Sequence, residues 1–155
     1  MKINVIVLSL LAALATGATD TTSFILPVND TFFIGGEDVA FSGHIHLATR
    51  VVNTAIPTDP CTPVDPCRLN ALMNLQRVSG LGLSTGRTYH VVGTARVETD
   101  TAVPAAFSIE GVGQIPPHPA RLGAPPNLVR AVVSLSINAV GQVSVIDAHV
   151  EENVT

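Results

Sequence analysis

Lysine is almost missing from this chain of 155 residues: Lys2 is the only one, and the other seven cations are arginines. A Schiff-base lysine, a lysine general base and a lysine-dependent phosphate loop are therefore excluded beyond position 2. Tryptophan is absent and Tyr89 is the sole tyrosine, which leaves no aromatic platform on which sugars could stack. Charged residues make up only 13% of the chain, and the arginines, at positions 50, 68, 77, 87, 96, 121 and 130, form no basic run. With a formal charge of −4, the surface repels phosphate backbones, so nucleic acid is not an expected partner. Cysteine occurs twice, at Cys61 and Cys67, too few for a four-ligand structural zinc site and too widely spaced for a C-x-x-C redox motif.

Long apolar runs are also scarce. The longest, Ile3 to Ala15, falls short of the roughly 20 residues that cross a bilayer as a helix, and it follows the single cation Lys2. Small residues at Ala13, Ala15 and Ala18 complete the layout of a secretory signal peptide over residues 1–18. Its removal leaves a β-domain over 19–155, roughly 140 residues, enough for one core. That mature chain carries no transmembrane segment. The expected destination is secreted, periplasmic or extracellular, where a Cys61–Cys67 disulfide is stable. The two cysteines sit in "IPTDPCTPVDPC", whose prolines stiffen the loop before any bridge closes it.

What the sequence does have is alternation. In "VAFSGHIHLATRV" Val39, Phe41, Ile45, Leu47 and Val51 share one face while Ser42, His44, His46 and Arg50 share the other, the pattern of a half-buried strand. "FILPV" (24–28) and "TFFI" (31–34) read as two short strands, with Gly35-Gly36 a hairpin turn into the long one. "RLNALMNLQRV" alternates as a strand that bulges at the following glycines, and its helical spacing is outweighed by two asparagines. "TYHVVGTARVET", "VPAAFSIEGVGQI", "NLVRAVVSLSIN" and "QVSVIDAHVEE" complete about eight strands. The expected fold is all-β, an antiparallel sandwich (immunoglobulin-like) or a small barrel.

Three groups of residues could carry chemistry. His44 and His46, at i and i+2 of one strand, project from the same face roughly 6.5–7 Å apart, and His90 joins them if its strand pairs in register. Over these three residues the pattern resembles the metal-binding strand of cupin barrels, which implies a bound transition metal. "GLSTG" (82–86) is a literal G-x-S-x-G with Ser84 at its centre, followed in chain order by Asp147 and His149, but a strand follows it where a nucleophile elbow needs a helix, so it reads as a turn. Asn29-Asp30-Thr31 and Asn153-Val154-Thr155 fit the glycosylation sequon. "PPHP", with His118, marks a proline-rich connection.

The reading that absorbs these features is a non-catalytic exported β-domain with a binding, surface-display or assembly role. Its partner would be an extracellular protein or glycan, or further copies of itself. The alternatives are a metal protein built on His44, His46 and His90, and a small-ligand carrier with an apolar cavity.

Overall fold

The computed structural model describes residues 21–116 and 126–152. The expected leader, His118 and the sequon at Asn153 lie outside them. Among the described residues all regular structure is strand: β1 (Thr21–Ile34), β2 (Glu37–Asn53), β3 (Cys67–Gly82), β4 (Thr88–His90), β5 (Thr94–Thr101), β6 (Ala105–Ile115), β7 (Asn127–Ile137) and β8 (Val143–Glu152). They form two antiparallel sheets, β1 to β5 and β6 to β8, packed as a sandwich. Within each sheet the strands pair with their neighbours in sequence, except that β4 and β5 share the same edge of β3. The order is thus a meander, unlike the Greek key of an immunoglobulin-like sandwich.

Alternation predicts the strands and also their faces. Leu26, Val28 and Ile34 of β1, Val39, Phe41, Ile45 and Leu47 of β2, and Val129, Ala131, Val133, Leu135 and Ile137 of β7 all point into one core. The stretch expected to be two short strands is a single one, because Asn29 and Asp30 stay in the ladder opposite Ser42 and Phe41. Gly35 and Gly36 make the expected turn, both at positive φ.

Two bulges shift the pattern. In β3, Leu75 and Gln76 both face the single Ile45, so inward positions change from Leu69, Ala71, Met73 and Leu75 to Val78, Gly80 and Gly82. The bulge precedes the glycines that were expected to cause it. Asn74 Oδ1 accepts the Gln76 amide at 2.9 Å, supplying the partner the ladder no longer provides. In β8 the extra residue is Ile146, and the buried set moves from Val143 and Val145 to Ala148 and Val150.

The segment read as one strand after residue 87 is broken into β4 and β5, and between them Val92 exchanges two hydrogen bonds with Gln114 of β6. Gly93 permits this crossing, since a Cβ there would lie 2.7 Å from the Val112 carbonyl oxygen. On the inner face of β6, Gly111 leaves room for Met73 and Ala95, and Gly113 for Val91 and Leu75. In this part of the interior the space a carrier would need is filled by side chains.

The disulfide loop closes one end. Asn53 is buried; its Oδ1 accepts the amides of Ala55 and Ile56 and its Nδ2 donates to the Pro60 carbonyl, so the loop starts on an Asx turn. Cys61 and Cys67 are bonded, with Cα atoms 5.9 Å apart, and Cys61 packs on Gly141 in the β7–β8 turn. A short loop gives a modest cross-link. Replacing both cysteines by serine is expected to lower the unfolding free energy by about 2 kcal/mol, read from urea denaturation, with the far-ultraviolet circular dichroism unchanged.

The strand registers place Thr21, Asn53, Cys67, Thr101, Ala105, Ile137 and Val143 at this same end. Counting β4 and β5 as one broken strand, the chain crosses the molecule an odd number of times, so β1 and β8 run in the same direction. Where they meet, the antiparallel ladder cannot continue. One side chain bridges the seam instead, Asp30 Oδ2 accepting the Val150 amide at 3.0 Å. Pro27, which brings no donor, and Asp30, an acid turned into the seam, also protect the β1 edge from pairing with other chains.

Candidate functional site

The register of β1, β2, β3, β4 and β5 fixes what the outer face of the larger sheet presents. Reading across the strands, Arg50 lies beside Asn70 and Glu98; Ala48 beside Leu72 and Arg96; His46 between Ile25 and Asn74; His44 between Pro27 and Arg77; and Ser42 between Asn29 and Ser79, with His90 beyond. His44, His46 and His90 thus share the expected face, but β3 separates His90 from the pair. No group of three or more His, Cys, Asp or Glu residues that could hold a metal ion occurs among the described residues. Asn74, Arg96 and Glu98 occupy the same sheet face in successive rows and do not gather on one point. His46 is half-buried, and its Nε2 has no hydrogen-bond partner in the structure.

The distribution of charge is uneven on this face. Arg68 is held by Asp100, through Nε at 2.8 Å, and by Glu98 at 3.4 Å. Hydrogen bonding and attraction from Asp100, together with Glu98, raise the Arg68 pKa, and Arg68 in turn lowers that of Asp100. The two acids nearest Arg50 and Arg96 are therefore already engaged. Among the described residues Arg50, Arg77 and Arg96 form no salt bridge. Arg50 and Arg96 line a shallow open depression together with Thr21, Ala48, Asn70 and Leu72. Two guanidinium forks beside polar and aliphatic side chains can hold a carboxylate or sulfate group bidentately.

The G-x-S-x-G segment has a different use. It forms the β3–β4 turn, closed by Gly86 N–H donating to the Gly82 carbonyl and Gly82 N–H to that of Arg87. Around it lies a residue that motif reading missed, Glu37, whose side chain is buried at the start of β2. The Glu37 carboxylate accepts hydrogen bonds from Tyr89 Oη at 2.6 Å, Thr85 Oγ1 at 2.7 Å, Ser84 Oγ at 3.0 Å, and the amides of Thr85 and Ser84 at 3.0 and 3.2 Å. These donors, Tyr89 and Thr85 foremost, hold its pKa down to about 2, and the same contact raises that of the Tyr89 phenol. Ser84 is thus a hydrogen-bond donor to a buried carboxylate, and among the described residues no histidine bonds to it. The available signal was parity: Glu37 is in step with Val39 and Phe41.

On the outer face of the smaller sheet, His149 Nδ1 lies 2.8 Å from Asp147 Oδ2. Ser134 is opposite Asp147 in the ladder and bonds to Ser108 Oγ at 3.0 Å. Ser84 belongs to the β3–β4 turn, in the other sheet, so the Ser84, Asp147 and His149 of the motif order are not brought together. Nearby, Arg130 joins Glu151 (Nε–Oε1 2.7 Å) and Glu110 (3.4 Å), which raises the Arg130 pKa, Glu151 being the main cause.

Comparison with known proteins gives no match to a family model, a curated protein or a solved structure.

Proposed function

We propose that the chain is an exported, non-catalytic β-domain that binds an anionic partner through the outer face of its five-stranded sheet. The observation that carries this is the set of Arg50, Arg77 and Arg96, without acidic partners among the described residues, on one face of a chain whose net charge is −4. Unpaired arginines concentrated on one face of an acidic protein steer an oppositely charged surface to that face. The Cys61–Cys67 disulfide supports export to an oxidising compartment. The titratable groups near Ser84 and His149 are engaged in turn and surface hydrogen bonds, which favours binding over catalysis.

A sulfated polysaccharide resin serves as a polyanion probe. The protein is expected to be retained in about 50 mM salt despite its negative charge and to elute as salt screens the contact. Replacing Arg50 and Arg96 by glutamate is expected to abolish retention while leaving the melting midpoint within a few degrees, because both side chains lie on the solvated face. Flow-through of the unaltered protein at low salt would refute the reading.

A further inference from the structure

Resting on that reading, we propose that the anionic partner is a second copy of this chain, docked through the outer face of its three-stranded sheet onto the arginine-bearing face of the five-stranded one. Among the described residues the smaller sheet presents Glu110, Asp147 and Glu151 outward with Arg130 as the one arginine, so its acids outnumber its permanent cations. On the larger sheet the outward Arg50, Arg68, Arg77 and Arg96 outnumber the outward acids Asp38, Glu98 and Asp100, and among the described residues Arg50, Arg77 and Arg96 form no salt bridge. The two faces are therefore opposite in net sign, and in the sandwich they are turned to opposite sides.

Both faces also carry aliphatic side chains that would be shielded by stacking, Leu72 and Ile25 on one and Val112 and Ile146 on the other. Sheets stack face to face at about 10 Å, a spacing that such side chains fill. The cation type fits too. With no lysine after position 2, every fixed positive charge in the expected mature chain is an arginine, the cation enriched at protein interfaces, where lysine is depleted.

Edge pairing is the other route by which β-proteins associate, and here Pro27 and Asp30 guard the β1 edge. Face-to-face stacking uses two different surfaces, so the contact is heterologous. Repetition of it leads to open-ended or ring-closed arrays, not to a two-fold dimer.

Sedimentation velocity of the purified chain tests this. At about 50 mM salt, species larger than a dimer are expected to grow with concentration and to dissociate at about 500 mM. Arg50→Glu/Arg96→Glu and, separately, Glu110→Arg/Glu151→Arg are each expected to weaken association roughly tenfold or more. An equimolar mixture of the two variants restores it, because each reversed face meets its complement. Asp147→Arg alone, which leaves the Arg130 pairs intact, provides a milder weakening if the double variant on the smaller sheet fails to fold. A monomer at every salt and concentration, or association indifferent to these reversals, overturns the proposal. Retention on the sulfated resin with a monomeric protein would overturn self-docking alone and leave the anion-binding reading standing.

Discussion

Replacing Glu37 by alanine is expected to lower the melting midpoint by roughly 5–10 °C, among the largest losses available to any polar substitution in the chain. The carboxylate is the common acceptor for Tyr89, Ser84 and Thr85, so removing it strands a buried phenol and two turn amides at once. A buried donor that loses its only partner costs its full desolvation penalty. Tyr89→Phe removes one of these bonds without stranding a donor and is expected to cost less. The pH dependence has a definite sign. The folded-state pKa of Glu37 is lowered from 4.5 to about 2, so its contribution is present in full above the unfolded value and disappears as pH falls from 4.5 toward 2. Glu37→Gln cannot titrate. The difference in midpoint between the native and Gln proteins is therefore expected to be widest at neutral pH and to shrink on acidification through that window. Equal melting of the two at pH 7 would rule out the carboxylate as the turn's anchor.

Gly43→Ala is expected to be at least as damaging, destabilising by about 3 kcal/mol or more in chemical denaturation. Gly43 sits in the middle of β2 at φ 127°, and a Cβ there would lie 2.0 Å from the Arg77 carbonyl oxygen. The obstruction is backbone belonging to the neighbouring strand, so relief requires prising β2 from β3 next to the bulge. Gly36 provides the control. It too has positive φ, 94°, but an added Cβ meets nothing within 4 Å. Gly36→Ala carries the conformational strain without the collision and is expected to cost only about 1 kcal/mol. Equal losses at the two positions would mean that strain, and not the approach of β3, governs Gly43.

These two residues also show where sequence reading succeeds and stops. Period-two alternation identified the long strand from Glu37 and placed Val39, Phe41, Ile45 and Leu47 inward, because each position depends only on its near neighbours. The same parity puts Glu37 inside, yet nothing local says that a serine, a threonine and a tyrosine some fifty residues away will surround it. Its environment depends on the turn after β3. The bulge at Leu75–Gln76 is likewise invisible until β2 lies alongside. The predicted face of His90 agrees with the structure, but its distance from His44 and His46 depends on which strand intervenes, and that is topology. The charge asymmetry was the hardest feature to see. Arginines scattered at 50, 77 and 96 come to share one surface only through the registers of β2, β3 and β5. Scarcity of lysine was legible at once, and its significance emerged from where the arginines lie.

The odd number of crossings bears on how the molecule would respond to force. β1 starts at the disulfide end and β8 finishes at the opposite one. Tension applied between the start of β1 and the finish of β8 therefore runs along the strands. The β1–β2 and β7–β8 hydrogen bonds lie perpendicular to that pull and are loaded together in shear. An even count would return the chain to its starting end and let a hairpin unzip one bond at a time. A domain strung between two attachments in this way resists extension through whole ladders, while the Asp30–Val150 bond at the seam is the first isolated link to be tested.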